Sequence, residues 1–229
     1  MKIVVISDLH GNFDALSALP ESGDELWVLG DLVNYGPQPS EVVDFVRAYA
    51  TVVVRGNHDN AVGFNVDPRC NPRYHSMASA TMRVSNAELD ETAKEFLRGL
   101  PQTKGVERDG KRFMLCHAVP SDPLFGYCQP ESERWQQEVE SIKADYLLVG
   151  HTHTPFIKPV GQTTVVNPGS LGQPKTGNPD ACYAVWQDGR FELKHFSYDL
   201  KRALERIQRM PVPTDIQQDL ATVLRTGSV

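Results

Sequence analysis

The feature that most constrains this chain is a set of five short polar segments, each of which follows a run of apolar residues. The segments are Asp8-Leu9-His10, Gly30-Asp31, Gly56-Asn57-His58-Asp59, Cys116-His117 and Gly150-His151-Thr152-His153. The apolar runs are typical of buried strands, and the strand ends of an α/β sheet lie along one edge. We therefore expect these polar side chains, which are far apart in sequence, to meet at one site.

The first sixty residues predict alternating strands and helices. Continuous apolar runs predict strands at 3–6, 26–29 and 51–54, and helices are expected to begin at residues 12–13 and near Ser40, which can serve as an N-cap. Alternation at this spacing is typical of parallel βαβ units.

Residues 60–100 predict helices only. A helix is expected over 74–84, and Ser85-Asn86-Ala87-Glu88 has the sequence of a capping box for a second helix that runs to Leu100. We therefore interpret the segment as a helical insertion or partial cap beside the site.

The rest of the chain predicts a second sheet that is rich in hairpins. Tight turns are expected at Asp109-Gly110 and Asp188-Gly189. Further strands are expected at 145–149 and 163–166, and helices at 135–142, 200–207 and 216–224. Parallel strands early and hairpins late predict a mixed α/β (α+β) fold, in which one domain over residues 1–229 has two packed mixed sheets with helices outside.

Charge and composition narrow the class of protein. A net charge of -6 over 229 residues argues against a broad nucleic-acid-binding face. The apolar run at the N-terminus is too short for a signal peptide, and no stretch approaches the roughly 18 apolar residues of a membrane span. The four cysteines have no CxxC spacing and are expected to be reduced thiols. We expect a cytoplasmic protein without a nucleic-acid or membrane partner, and its oligomeric state is left open.

The polar segments offer seven candidate metal ligands and no thiolate. They are Asp8, His10, Asp31, Asn57, His117, His151 and His153. Two divalent ions held by only two carboxylates would leave a positive site that attracts phosphate and lowers the pKa of bound water. These donors suit Mn, Fe, Zn, Co or Ni better than Ca or Mg. The alternative is a structural zinc site, but such a site is closed by four ligands. Seven candidates favour two open ions that share Asp31.

The spacing within the segments has a geometric rationale. In a strand, residues two apart point to the same face, so Asp-x-His and His-x-His can each offer two ligands. The neighbouring glycines Gly11, Gly30, Gly56 and Gly150 are expected to allow the tight turns that aim these ligands. A single Asp-x-His is more often a turn or cap, and a lone His117 is more often a core residue, but five such segments together favour metal binding.

In this order, the motifs Asp-x-His, Gly-Asp, Gly-Asn-His-Asp, a later His and Gly-His-x-His resemble those of the calcineurin-like metallophosphoesterase superfamily. They span Asp8 to His153, and the stretch 30–37 resembles the compact bacterial and archaeal phosphodiesterase branch, which is related to diadenosine tetraphosphatases. The resemblance implies a four-layer α-β-β-α sandwich and two divalent metal ions, with manganese the first candidate and Fe, Zn, Ni or Co the others.

The resemblance also implies roles for individual residues. Metal one would take Asp8, His10, Asp31 and His153, and metal two would take Asp31, Asn57, His117 and His151. A hydroxide that bridges the ions would attack phosphorus, and the catalytic residues would be Asp31 and His58, the latter stabilising the transition state or protonating the leaving oxygen. In the protein-phosphatase branch an Asp pairs with this histidine. Here that position is Asn34, which stabilises an imidazolium less well, and Asp59 is the alternative partner.

These observations predict a dinuclear metal-dependent phosphodiesterase with a small phosphoester substrate, and nucleotide diesters are the natural expectation. A phosphomonoesterase and a dinucleoside polyphosphate hydrolase remain alternatives. A non-catalytic scaffold of the same fold would show ligand loss, and every expected ligand is present. The candidate substrate-binding residues are Asn34, Arg55 and His75, and residues 167–170 are a candidate substrate-side loop.

Overall fold

The computed structural model of the chain describes residues 1–228. In that range the chain forms ten strands and eight α-helices. The strands are β1 (Lys2–Ile6), β2 (Glu25–Val28), β3 (Val52–Val53), β4 (Thr103–Arg108), β5 (Lys111–Cys116), β6 (Tyr146–Leu148), β7 (Phe156–Val160), β8 (Thr163–Asn167), β9 (Ala181–Gln187) and β10 (Arg190–Phe196). The helices are α1 (Phe13–Ser17), α2 (Pro39–Tyr49), α3 (Asn57–Phe64), α4 (His75–Glu88), α5 (Glu91–Gly99), α6 (Trp135–Glu140), α7 (Leu200–Ile207) and α8 (Thr214–Thr226).

The strands form two five-stranded mixed sheets. The first has the order β10-β9-β1-β2-β3, in which β1, β2 and β3 are parallel and β9 is antiparallel to β1. The second has the order β4-β5-β6-β8-β7, in which β5, β6 and β8 are parallel and both edge strands are antiparallel. The predicted βαβ units therefore supply the parallel part of the first sheet, and both predicted hairpins form.

Alternation along β1 directs its side chains into two different layers. Ile3 and Val5 belong to the apolar cluster between the sheets, whereas Val4 and Ile6 belong to the cluster under α1 and α2. All four are fully buried. The strand is buried on both faces, as its continuous aliphatic run predicts.

Aromatic rings join the two sheets. The ring of Phe113 on β5 meets Trp27 of β2 at 5.1 Å and Trp186 of β9 at 5.4 Å, edge to face in both cases. Each of these rings is at most 1% exposed. Burial of one such side chain contributes about 2 kcal/mol to the free energy of folding, so the sheets are held face to face by a well-packed apolar layer.

Helices cover the outer faces of both sheets. Val42 and Val46 of α2 and Leu97 of α5 pack on the first sheet. Trp135 of α6 packs on the second sheet beside Val165 of β8. The order helix, sheet, sheet, helix confirms the expected mixed α/β sandwich.

The helical segment and the C-terminal helices pack together. Met77 and Val84 of α4 share an apolar cluster with Ile207 of α7 and with Leu220 and Leu224 of α8. The C-terminal helices therefore pack on this chain's own helical segment. The single-domain organisation, with 60–100 as an insertion or partial cap, stays a prediction. Within residues 1–228, no helix has both the length and the apolar sequence that crossing a membrane requires.

Two predicted helix caps are wrong. The N-cap of α2 is Gln38 without a side-chain bond, and the Ser40 hydroxyl instead donates to the Glu88 carbonyl at 3.3 Å. Ser85 lies inside α4, where its hydroxyl accepts a hydrogen bond from the Asn34 backbone N–H at 3.2 Å. Asp90 caps the next helix, because its carboxylate accepts from the Ala93 N–H at 2.7 Å. Both serine hydroxyls form hydrogen bonds with residues distant in sequence and therefore do not cap a helix.

Two elements were not predicted from the sequence. Strand β7 contains Lys158 and Pro159, which weaken a strand pattern but are tolerated at the edge of a sheet. Helix α3 begins at Asn57, inside one of the polar segments, and its first turn carries functional side chains instead of an apolar stripe.

Candidate metal centre

The five polar segments converge where β1, β2, β3, β5 and β6 end. Hydrogen bonds across the two sheets fix this meeting point. His117 donates from Nδ1 to the Leu29 carbonyl at 2.8 Å, and the His151 N–H donates to Oδ2 of Asp8 at 3.2 Å. The Asp8 N–H donates to the Gly30 carbonyl at 3.0 Å. Side chains from both sheets therefore occupy one site, as the sequence predicts.

Three side chains form a first group of potential metal ligands. Nε2 of His153 lies 3.2 Å from Oδ1 of Asp8 and 3.2 Å from Nε2 of His10. All three residues are buried. The three ligand atoms face one another across a space that suits a single ion.

A second group lies beside the first. Nε2 of His117 is 3.2 Å from Oδ2 of Asp31, and Nδ1 of His151 is 3.2 Å from the same imidazole nitrogen. The amide oxygen of Asn57 lies 3.1 Å from both of these ring nitrogens. The Asn57 amide is oriented by its own NH₂ group, which donates to the Pro68 carbonyl at 2.8 Å.

Asp31 connects the two groups. Its Oδ2 lies 3.8 Å from Nε2 of His10 in the first group and 3.2 Å from Nε2 of His117 in the second. Its Oδ1 accepts a hydrogen bond from the His58 N–H at 2.8 Å, which fixes the carboxylate plane. One carboxylate oxygen therefore faces both groups.

The donors fit two divalent ions. His10 and His153 each direct Nδ1 toward a backbone carbonyl, of Val33 at 3.2 Å and of Gln173 at 2.5 Å, as His117 does toward Leu29. Such bonds place the proton on Nδ1 and leave Nε2 as a lone-pair donor. Oδ1 of Asp8 is buried without a hydrogen-bond donor among the described residues, as expected of an atom that ligates a cation.

The electrostatics of the site show that its two carboxylates require positive charge. Burial alone would raise the pKa of Asp8 and Asp31, but His153 holds the pKa of Asp8 below its usual range, and His117 does the same for Asp31. Burial alone would lower the pKa of His117, but the adjacent Asp31 carboxylate raises it to about 9. The site is thus built from ionised carboxylates that require positive charge nearby.

The ligand-bearing backbone differs from the expected strand geometry. Asp8, His10, Asp31, His151 and His153 all lie beyond the strand ends, with φ between 46° and 63°. This left-handed region is costly for residues other than glycine and is found mainly at functional sites. The Asp-x-His and His-x-His pairs therefore converge through two left-handed residues each, and the prediction that they share one face of a strand is wrong.

The glycines of these segments have two different roles. Gly11 and Gly30 have positive φ and make turns, as expected. Gly56 and Gly150 do not, and they are required by close approach. A Cβ at Gly56 would lie 2.1 Å from Oδ1 of Asp31, and one at Gly150 would lie 2.8 Å from Oδ2 of Asp8. At both glycines the backbone lies so close to a ligand carboxylate that a side chain would not fit.

His58 lies beside the two groups without belonging to either. Its Nδ1 accepts a hydrogen bond from the Asn34 amide at 2.8 Å, so that the ring proton is on Nε2. Burial lowers the pKa of His58 to about 4, which favours the neutral ring. Its ring lies 4.8 Å from that of Tyr35 and lines the open cleft. His58 is therefore a neutral hydrogen-bond donor toward the cleft.

Asp59 is not available as a partner for His58. Its two carboxylate oxygens accept from the backbone N–H groups of Asp31, Leu32 and Gly56 at 2.8 to 2.9 Å. Burial, and then the charge of Asp31, raises the pKa of Asp59 to about 7. The suggestion that Asp59 orients His58 is wrong. The Asn34 amide orients this ring instead.

Comparison with known proteins places this site in a family. Residues 1–188 match the model of the calcineurin-like phosphoesterase superfamily domain. The chain belongs to this superfamily. The predicted class, a metal-dependent phosphoester hydrolase, is confirmed at the level of the family.

Individual relatives support the same placement. An uncharacterized protein of Methanocaldococcus jannaschii is 30% identical over 92% of this chain and 93% of its own length. Phosphodiesterase YfcE of Escherichia coli is 28% identical over 81% of this chain and 86% of its own length. The crystal structure of a metallophosphoesterase from Sphaerobacter thermophilus is 27% identical and covers 96% of this chain and 99% of its own, with a TM-score of 0.80.

An open cleft of about 220 Å³ lies over the two groups of this phosphoesterase. Its walls include Tyr74 and Asn71 from the helical segment, Tyr127 and Gln129 from the loop after β5, and Lys175 from the loop after β8.

Lys175 was not identified from the sequence, because it lies 22 residues beyond His153 and carries no motif. Burial lowers its pKa to about 8, so it is cationic at neutral pH. Its proximity to His153 depends on the path of the loop after β8, which no local pattern reveals.

Two predicted substrate residues do not reach the cleft. The guanidinium of Arg55 donates to the Arg98 carbonyl at 2.8 Å and lies 5.1 Å over the Phe64 ring, and Arg55 does not line the cleft. His75 is half exposed and bonds to Oδ2 of Asp67 at 3.0 Å. Among the three predicted substrate residues, only Asn34 lies at the site.

The predicted loop at 167–170 lies directly behind the first group. Asn167 donates from Nδ2 to the Gly150 carbonyl at 2.7 Å, and the Ser170 hydroxyl donates to the Asp8 carbonyl at 2.7 Å. Both residues are fully buried, so they support the ligand segments and do not face the cleft.

Proposed function

We propose that this chain is a dinuclear metal-dependent phosphodiesterase that hydrolyses small nucleotide diesters. The observation that carries the proposal is the position of Oδ2 of Asp31, 3.8 Å from His10 and 3.2 Å from His117. One carboxylate that serves two ligand groups is the arrangement required to hold two ions as close together as phosphoryl transfer needs, roughly 3.5–4 Å.

The ligand roles follow from the two groups. Asp8, His10 and His153, with one side of Asp31, would hold one ion. Asn57, His117 and His151, with the same Asp31 oxygen, would hold the other. When bound, the two ions supply Lewis acidity at phosphorus and lower the pKa of water. Manganese is proposed because carboxylate and amide oxygens suit it and the site has no thiolate.

His58 is proposed as the residue that acts on the leaving group. Its Nδ1 is occupied by the Asn34 amide, so Nε2–H is directed to the cleft. A neutral imidazole donor beside the phosphoryl group can stabilise negative charge that develops on an oxygen in the transition state. Asn34 positions the ring through this hydrogen bond.

Two tyrosines support the choice of nucleotide diesters. Tyr127 and Tyr74 both line the cleft, and Tyr127 is 53% exposed although it is a large aromatic residue. Its hydroxyl accepts a hydrogen bond from Gln129 at 2.8 Å, which holds the ring. Stacking of a nucleobase on such a ring contributes about 1–3 kcal/mol to binding. Phosphodiesterase YfcE, a relative over most of this chain, agrees with diester chemistry.

The cellular location and domain organisation belong to the same proposal. Within residues 1–228 all four cysteines are free thiols, and three of them are buried. Reduced buried thiols are typical of the cytoplasm. We propose a cytoplasmic enzyme whose residues 60–100 form a helical insertion within one domain.

The decisive experiment measures hydrolysis of bis-p-nitrophenyl phosphate and p-nitrophenyl phosphate. Metal-stripped protein is assayed alone and after addition of Mn, Ni, Zn, Fe or Mg. We expect metal-restored activity that favours the diester, with the highest rate in manganese. Asp31→Asn should lower the rate at least about 100-fold, whereas Asp44→Asn, a change at an exposed position on α2, should not.

Three outcomes would contradict the proposal. Preference for the monoester would indicate a phosphomonoesterase. Cleavage of neither ester by protein loaded with two manganese ions, together with cleavage of diadenosine tetraphosphate, would indicate a dinucleoside polyphosphate hydrolase. Inactivity toward all three substrates would favour the non-catalytic scaffold.

A further inference from the structure

Lys175 is a cation without an acidic partner at the edge of the first ligand group. Its Nζ lies 3.5 Å from Nε2 of His153 and 4.3 Å from the centroid of the Tyr74 ring. Among residues 1–228, no carboxylate oxygen lies within 4 Å of this ammonium group. The side chain lines the same cleft as His58 and His151.

The other partly buried lysines each have an oxygen acceptor: Lys94 and Lys158 donate to the carbonyls of Asn86 and Pro130 at 2.8 Å, and two more pair with a carboxylate. Lys2 and Lys194 lie 2.7 and 2.9 Å from the carboxylate of Glu21. A partly buried ammonium without a counter-ion costs free energy, because it loses hydration and gains no ion pair. The charges of Asp8 and Asp31 act on Lys175 from beyond ion-pair distance, and bound metal ions would take up that negative charge. A lysine left unpaired at this cleft therefore indicates an anion that arrives with the substrate.

The loop that carries Lys175 is fixed to the first ligand group. The Gln173 carbonyl accepts the Nδ1 proton of His153, and the Gly172 N–H donates to the Asp8 carbonyl at 3.0 Å. The Gln173 N–H in turn donates to the Ser170 hydroxyl at 2.8 Å. The backbone two residues before Lys175 is thus tied to two ligand residues, which sets the position from which the lysine side chain extends.

The Tyr74 ring gives the ammonium a second support. A cation over an aromatic face gains about 0.5–2 kcal/mol without losing its ability to donate hydrogen bonds. Lys175 is therefore held at the cleft by Tyr74, while its N–H groups stay available for a ligand.

We infer that Lys175 binds a non-bridging oxygen of the substrate phosphoryl group, on the side of the cleft where His153 of the first ligand group lies. The inference rests on the proposed function, since it names a substrate-binding residue of the same site. A lysine is a compact point charge with three donors, which suits the oxygens of a phosphoryl group. The contact exists in the bound substrate and in the transition state, so its loss should weaken binding more than turnover.

The test compares Lys175→Met and Lys175→Arg with the wild-type protein, all loaded with two manganese ions. Methionine keeps much of the apolar stem that packs near Tyr74 and removes the charge. For bis-p-nitrophenyl phosphate we expect KM to rise about tenfold or more in Lys175→Met, with kcat within about threefold, since a hydrogen bond to a charged group has this magnitude. Lys175→Arg should recover most of the loss. Lys158→Met is the matched control, because Lys158 donates to the Pro130 carbonyl outside the cleft.

A second measurement separates this inference from the proposed function. Titration calorimetry of inorganic phosphate into the manganese-loaded protein needs no turnover. We expect phosphate affinity to fall about tenfold in Lys175→Met and to stay unchanged in Lys158→Met. An unaltered phosphate affinity, or loss of manganese from Lys175→Met, would overturn the inference even if the wild type is an active diesterase. An inactive wild type that shows the expected phosphate difference would overturn only the diesterase activity.

Discussion

The carboxylate of Asp59 holds the backbone of Asp31 in its left-handed conformation. Oδ2 of Asp59 accepts the Asp31 N–H at 2.8 Å, and Oδ1 accepts the Leu32 N–H at 2.8 Å. The φ of Asp31 is 54°, a conformation that a non-glycine residue retains only when its surroundings stabilise it. A residue that faces no ligand therefore determines the direction of the carboxylate shared by the two groups.

Asp59→Asn should destabilise the fold and the site together. The new amide NH₂ would oppose one of the three backbone N–H groups that the carboxylate now accepts, which leaves a buried donor without an acceptor. We expect a loss of about 2 kcal/mol in the free energy of unfolding. Urea unfolding of the metal-free protein measures this, with exposed Asp44→Asn as control; equal stabilities would show that these bonds contribute little.

Gly56→Ala should displace the Asp31 carboxylate. The added methyl group would lie 2.1 Å from Oδ1 and 2.4 Å from the backbone nitrogen of Asp31, so one of the segments must move. We expect fewer than two manganese ions per chain, measured by metal analysis after dialysis, and at least about tenfold lower activity. Gly99→Ala is the matched control, since no atom lies within 4 Å of a Cβ there. Two manganese ions bound to Gly56→Ala would show that the added methyl group does not displace the Asp31 carboxylate.

His58→Ala should lower turnover and leave metal binding intact. His58 contacts Asp31 only through its backbone N–H, which alanine retains. We expect kcat for the diester to fall about 100-fold or more, the magnitude of a lost proton or hydrogen-bond donor, with two manganese ions still bound. His195→Ala, on the exposed face of β10, should behave as wild type. Loss of metal from His58→Ala would place this histidine among the ligands.

Asn34→Ala should give a weaker form of the same defect. It removes the amide that bonds to Nδ1 of His58 at 2.8 Å but leaves the imidazole in place. We expect kcat to fall about tenfold, because a hydrogen bond that orients a catalytic group commonly contributes about 1 kcal/mol or more. Steady-state kinetics of the double variant Asn34→Ala/His58→Ala completes the test: the second change should add little once the imidazole is gone.

Glu21 should stabilise the protein in a defined range of pH. Partial burial alone would raise its pKa, but hydrogen bonds from Lys194, Lys2 and Tyr183 lower the pKa from 4.5 to about 2. The stabilisation is therefore complete above pH 4.5 and is lost as the pH falls toward 2. Urea unfolding of wild type and Glu21→Gln should differ by about 2 kcal/mol at pH 7, and this difference should shrink between pH 4.5 and 2. Exposed Glu95→Gln should show no such trend.

The layers and the ligand set were predictable from sequence because each depends on local patterns. The aliphatic run of β1 predicts a strand buried on both faces, and the polar segments at strand ends predict convergence at one edge. The polar side chains that follow these strands lie close together because the carboxyl ends of parallel strands lie at the same edge of a sheet. The resemblance to a known family then supplied the division of the ligands into two groups.

The remaining features depend on contacts that no local pattern contains. Ser85 has the sequence of a helix cap, but its hydroxyl bonds to Asn34, 51 residues away. Arg55 follows a strand as a phosphate-binding arginine would, but its side chain contacts the Phe64 ring and the Arg98 carbonyl and does not line the cleft. Lys175 reaches the cleft only through the path of a loop. Contacts with residues distant in sequence determine where each of these side chains lies.

The ligands come from both sheets, and this has a thermodynamic consequence. Asp8 and Asp31 follow strands of the first sheet, whereas His117 and His151 follow strands of the second. Both ion sites are complete only while the two sheets are packed together. Bound ions would therefore stabilise the packing of one sheet on the other. By linkage, each tenfold rise in free metal above its dissociation constant should stabilise the docked state by about 1.4 kcal/mol per ion. The thermal midpoint should therefore climb with manganese concentration long after the sites are full.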